Sequence, residues 1–350
     1  MNAAFPRMTA AGTDAMISPM RDLRTLPKAH LHIHLEGAMR PSTLRDCAAE
    51  LGVEVPPIRG FGSFAAFSGM YVAACQILTT PDALGRLVRE VVEDNAIDGA
   101  VWVEPAIYLP HHNTQIGPPE HTLEIVLQAA ADAGRDFGVG VGIMVAADRT
   151  LDPSDAVDQA NLAAKYAGQG VVSFGLANDE TDWPPEPFAE AFAIAKEAGL
   201  LSVPHAGELA GPESVIGALD MLGADRIEHG VRAIEDPDLV RRLADSEVCL
   251  DVCPTSNVLL SVVPSIEAHP LPALLAAGVR CSLNADDPLL FGPNLLAEYE
   301  VVRARLGLDD DALAGIARTS LEASGAPDEL KARGRIAIDA WMAGESGAPG

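Results

Sequence analysis

Short apolar runs rich in β-branched residues recur along the chain, alternating with longer segments whose apolar residues fall at helical spacing. The runs are AHLHIHLEG (29–37), GAVWVEPA (99–106), VGVGIMVAA (139–147) and VVSFGLAND (171–179), then LLSVPHAGE (200–208), DRIEHGV (225–231), VCLDVCPTSN (248–257) and VRCSLNADD (279–287). Segments such as PEPFAEAFAIAKEAG (185–199), PESVIGALDMLG (212–223), DPDLVRRLADS (236–246) and PLPALLAAG (270–278) read as helices, several of them closing on a glycine C-cap. Strands alternating with helices predict parallel pairing. Eight such units predict an α/β fold, a (β/α)8 TIM barrel, over an open doubly wound sheet. No G-x-G-x-x-G follows the first run, which weakens a dinucleotide-binding version further.

Two segments stand outside the alternation. Residues 38–98 form a helix-rich insertion after strand one, carrying Phe61, Phe64 and Phe67. It reads either as a lid over the barrel mouth or as outer helix with a buried aromatic face. Residues 308–342 read as extra C-terminal helices. The expected organisation is a flexible extension over 1–20, a single barrel over 21–342 and a disordered tail over 343–350.

A parallel barrel carries its functional side chains at the C-terminal ends of its strands. Strand one ends in His32, His34 and Glu36, and strand five in His205 and Glu208. Strand six ends in Glu228 and His229, and strand eight in Asn284, Asp286 and Asp287. His32 and His34 share a strand face, because alternate residues point the same way. A buried imidazole needs a partner, which leaves a metal ion or a hydrogen-bonded core pair. His32, His34, His205 and Asp286 offer three imidazoles and one carboxylate, ligand types that catalytic zinc takes while keeping a position open for water. Iron or manganese fits the same ligands. Strand four lacks a lysine to bridge two metals, which argues for a single ion. His30 lies deeper on its strand, while His111, His112, His121 and His269 read as solvated or capping residues.

Composition narrows the function classes. The 350 residues are 48% hydrophobic and carry a formal charge of -26, which opposes binding to nucleic acid or anionic membranes. No run is long enough to span a bilayer, and the first 20 residues lack the basic head and apolar block of a signal peptide. The five cysteines, an odd number without C-x-x-C spacing, read as reduced thiols in a cytoplasmic protein.

LPKAHLHIHLEG, HAGE, RIEHGV and SLNADDPLLFG, in that order, resemble the motifs of the adenosine/adenine deaminase family over about residues 24–300. The resemblance implies a zinc barrel that hydrolyses the 6-amino group of a purine to a 6-oxo group and releases ammonia. It implies one zinc held by His32, His34, His205 and Asp286, with Glu208 giving a proton to purine N1. His229 would orient and deprotonate the attacking water, with Asp286 beside it. His34, Glu36, Asn178 and Asp287 would face substrate, Asp287 at N7 and Glu36 at the sugar. The chemistry agrees, since hydroxide adding to C6 pushes electrons onto N1, where a carboxylic acid stabilises the adduct. The bland alternatives are an N-cap role for Glu208 and support of the ligands for His229 and Asp287.

Two positions depart from the adenosine-specific pattern. Glu36 stands where those members commonly have aspartate, and Asn178 where they usually have a glycine whose backbone contacts N3. The sequence expectation is deamination of adenosine and 2′-deoxyadenosine to the 6-oxo nucleosides, adenosine giving inosine. Free adenine, or a modified nucleoside such as aminodeoxyfutalosine, is the alternative. A non-catalytic purine-binding barrel is a remote third reading, which intact Glu208, His229 and Asp286 oppose. The partner is thus a small 6-aminopurine, with homo-oligomer formation left open.

Overall fold

A computed structural model describes residues 20–112 and 115–345. The extension expected over 1–20, apart from Met20, and the last five residues of the expected tail lie outside the described residues.

Eight parallel strands follow one another around the sheet in sequence order. They are β1 (Lys28–His34), β2 (Ala100–Ile107), β3 (Ile143–Asp148), β4 (Val171–Ala177), β5 (Leu201–Ala206), β6 (Arg226–His229), β7 (Cys249–Val252) and β8 (Arg280–Leu283). Gly140–Val141, just ahead of β3, adds a short pairing with β2. Each strand lies within one of the eight runs read from the sequence, give or take one residue, and the expected barrel is the fold.

The barrel closes through side chains and loops where β8 meets β1. His34 N donates to the Asp286 carbonyl and Asp286 N to the His32 carbonyl, both at 3.1 Å. Asn284 Oδ1 accepts from Leu31 N at 2.7 Å and from His32 N at 3.1 Å. Backbone groups at this seam would otherwise be buried without partners. The seam therefore fixes His32, His34 and Asp286 relative to one another.

Inside the barrel Arg226 is fully buried and paired, its Nη2 2.7 Å from Glu104 Oε2 and its Nε 2.8 Å from Asp251 Oδ2. A buried guanidinium needs both carboxylates to offset its desolvation. The C-terminal helices Asp310–Ala323 and Asp328–Ala343 pack on one another and on the barrel, and Ser320 Oγ accepts from Ala29 N at 2.9 Å.

The insertion forms α1 (Pro41–Leu51), α2 (Phe64–Cys75) and α3 (Pro81–Ile97). Ser63 caps α2 and Thr80 caps α3, each hydroxyl accepting from the backbone N–H three residues on. Helix α2 lies over the mouth, where Phe64, Phe67, Ser68, Tyr71 and Val72 line the cavity. Phe67 also stacks on Phe291, 5.0 Å between ring centres, so the lid and the buried aromatic face are the same helix.

Candidate metal centre and active site

Six of the ten polar residues read at the strand ends line one cavity, whose empty space with its open mouth is about 800 Å³. His34, Asn178, His205, Glu208, His229, Asp286 and Asp287 all line it. Among the described residues, four non-glycine residues have positive φ: Asn178 (83°), His229 (65°), Ser261 (62°) and Asp286 (60°). Three of these four line the cavity. A left-handed backbone costs an L-residue on the order of 1 kcal/mol, so the barrel holds these strand ends against local preference.

Asp286 is the hub. Its Oδ1 lies 3.4 Å from His32 Nε2 and 3.3 Å from His34 Nε2, and its Oδ2 accepts from Ser256 Oγ at 2.6 Å. His205 joins through its ring, 4.8 Å from that of His32 and 5.3 Å from that of His34. The ligating atoms of His32, His205 and His229 lie within 4.8 Å of one another, as do those of Glu208, His229 and Asp286. The four residues expected as ligands thus meet on one rim.

The donors fit a metal ion. His32 Nδ1 is taken by the Asp251 carbonyl at 3.2 Å, while its buried Nε2 has no hydrogen-bond partner. His205 Nδ1 is 3.1 Å from the Leu176 carbonyl and 2.7 Å from Glu228 Oε2, which leaves its Nε2 for the centre. Such partners on the outer nitrogen orient imidazole ligands. Burial pushes the Glu228 carboxyl up, but His205 and His32 outweigh it and bring it down to about 2. Cys253 Sγ sits on the Nδ1 side of His32, 3.3 Å away, and burial keeps it a thiol. All five cysteines are free and buried.

Glu208 Oε1 is buried without a hydrogen-bond partner, 3.3 Å from His229 Nε2. Burial, with Asp286 and Glu180 nearby, lifts its carboxyl well above the usual range, which favours its protonated form. Asp287 is also lifted by burial and by Asp286, and its Oδ1 is likewise unpartnered. Gly37 explains itself here, because a Cβ at that position would overlap Asp287 Oδ1. Asn178 Nδ2 donates to Asp148 Oδ2 at 2.9 Å and its Oδ1 accepts from Asp179 N, which holds the residue at positive φ.

Glu36 does not line the cavity. It is fully buried, with Oε1 2.6 Å from His112 Nε2 and Oε2 accepting from Tyr71 Oη at 2.8 Å. Two of the histidines read as solvated or capping, His112 and His269, are buried, and His111 lines the cavity. Sequence reading also missed Glu180. Its buried carboxylate accepts from the backbone N–H groups of Gly207, Glu208, Leu209 and Ala210 at 2.6–3.0 Å and so sets the loop that carries Glu208. An acidic residue one place past Asp179 gives no spacing signal for that task.

Residues 27–341 match the family described as adenosine deaminase. A Streptomyces virginiae protein provisionally named adenosine/adenine deaminase is 45% identical over 335 residues, covering 93% of this chain and 99% of that one. The crystal structure of adenine deaminase from Arthrobacter aurescens superposes with a TM-score of 0.85 at 30% identity, covering 91% of this chain and 99% of that chain. An amidohydrolase from Burkholderia ambifaria, solved with bound zinc, gives a TM-score of 0.85 at 28% identity and 93% of each chain. No helix among the described residues is long and apolar enough to cross a membrane.

Proposed function

The chain belongs to the adenosine deaminase family, and from that premise we propose that it hydrolyses the 6-amino group of free adenine, using one zinc ion. The observation that carries the substrate choice is Glu36. The sequence resemblance set its carboxylate against a sugar, yet both of its oxygens are engaged by His112 and Tyr71 behind the cavity wall. Glu36 is covered by these partners and does not line the cavity, so a ribose hydroxyl could reach it only by displacing Tyr71 or the buried His112, at a cost of about 1–3 kcal/mol. The structural relative from Arthrobacter aurescens, named for adenine, supports the same choice.

His32, His34, His205 and Asp286 would hold the ion. A bound zinc ion supplies a water nucleophile near neutral pH by lowering its pKa from 15.7 to about 7. The chain's own groups do the rest. Glu208, whose burial favours the protonated form, gives its proton to N1 as C6 is attacked. Asp287, its carboxyl likewise lifted by burial and by Asp286, would donate to N7 in its protonated form. His229 Nε2 and Asp286 Oδ2 lie 3.8 Å apart and would orient the attacking oxygen. Helix α2 covers the purine with Phe64 and Phe67.

Adenosine is the second reading, favoured by the polar side chains of Tyr108, His111 and Asp148 on the cavity wall. Incubating the metal-bearing protein with adenine and adenosine separately, and following absorbance near the purine maximum, separates the two. Adenine is expected to turn over with a kcat/KM about 5- to 150-fold above adenosine, the discrimination that 1–3 kcal/mol provides. A preference for adenosine sinks the substrate choice. No change with any 6-aminopurine sinks both readings.

A further inference from the structure

One backbone amide fixes a chain of hydrogen bonds that ends on His229. Leu271 N donates to His269 Nδ1 at 3.1 Å. An amide N–H cannot reverse its role, so that nitrogen is an acceptor. Burial holds His269 neutral, its pKa lowered to about 4. A neutral imidazole has a single N–H, which here must sit on Nε2. That Nε2 donates to Asn257 Oδ1 at 3.1 Å. The amide of Asn257 is then oriented too, and its Nδ2 donates to His229 Nδ1 at 3.1 Å. All three side chains are buried. Turning the Asn257 amide over would set its N–H against the N–H of His269, two donors with no acceptor between them.

We propose that Asn257 and His269 are positioning residues that hold His229 as the Nε2–H tautomer, so that it presents a hydrogen-bond donor to the active site. Neutral His229 has its hydrogen on the nitrogen that stands 3.3 Å from Glu208 Oε1 and 3.8 Å from Asp286 Oδ2. In that state the imidazole orients an attacking oxygen by donating to it and has no free lone pair to take a proton from it. This departs from the deprotonating role that the family resemblance implies for His229. The consequence for turnover rests on the aminohydrolase reading above, whereas the tautomer itself is readable without turnover.

The test is two-bond 1H–15N NMR of the ¹⁵N-histidine-labelled enzyme with its metal bound, with His229 assigned through His229→Asn. The expected spectrum has Nε2 protonated and Nδ1 bare. Asn257→Asp puts an acceptor against Nδ1 and is expected to move the hydrogen there, lowering kcat for adenine by about 100-fold with KM within roughly threefold. His269→Gln can still accept from Leu271 N and donate to Asn257, so it is expected to keep the tautomer and most of kcat, whereas His269→Leu loses both. A wild-type spectrum with Nε2 bare, whether from metal ligation or the opposite tautomer, overturns the proposal even if Asn257→Asp does not fold. So does an Asn257→Asp enzyme whose His229 hydrogen has not moved. The expected spectrum in a protein that deaminates no purine upholds the hydrogen-bond chain and overturns the functional reading instead.

Discussion

His112 Nε2 lies 2.6 Å from Glu36 Oε1, and the pair is sealed from solvent. It ties the turn after β1 to the loop after β2, and Tyr71 on the other carboxylate oxygen brings in helix α2. Burial pushes the Glu36 carboxyl up, but the hydrogen bond and charge of His112 outweigh it and keep it ionised. Glu36→Ala leaves His112 Nε2 buried and unsatisfied and takes the acceptor from Tyr71 Oη. It is expected to lower stability by about 3 kcal/mol, read from urea unfolding, and to loosen α2 over the mouth. A loss below about 0.5 kcal/mol, the range of an ordinary surface change, would mean the three groups are not coupled.

Glu208→Gln keeps the shape of the side chain and removes the proton that N1 needs. A 10²–10⁴-fold fall in kcat for adenine, roughly the value of one general acid, is expected with metal content unchanged. Metal analysis of the purified variant is the control. Loss of the ion would make Glu208 a ligand and not the acid.

The barrel was legible because each strand is a short apolar run, and four of the eight runs end in polar residues that meet at the mouth. His32, His205, His229 and Asp286 could be named from those ends alone. What the sequence hid are contacts between residues distant in the chain. Glu180 is 28 residues from the backbone N–H of Glu208 that it accepts from, and Glu36 is 76 residues from His112. Hydropathy also misplaces a histidine such as His269, since an imidazole beside a helix start looks solvated until its partners are known.

Glu228 holds the outer nitrogen of His205 and touches no substrate-facing surface. Glu228→Gln removes a charge that opposes no other cation in the site except imidazoles. Metal affinity is expected to fall about 10–100-fold, measured by chelator competition, with kcat of the fully loaded enzyme changed far less. Unchanged affinity would show that His205 is oriented by the Leu176 carbonyl alone.

His269 gives stability a pH dependence with a defined sign. Its pKa is about 4 folded, against 6.5 for the free side chain, so the unfolded chain binds more protons between those values. Its contribution is therefore intact above pH 6.5 and is lost as pH falls toward 4. The difference is worth roughly 3 kcal/mol. Asp98, raised to about 6, and Glu298, raised to about 7, pull the opposite way across the same window, because burial protonates them in the folded state. The whole-protein profile therefore mixes the two signs, and the informative quantity is the gap between wild type and His269→Gln. Glutamine does not titrate, so the wild type is expected to lose about 3 kcal/mol relative to the variant between pH 6.5 and 4, measured by urea unfolding at each pH. A gap that stays constant over that range would mean His269 reaches solvent in the folded protein.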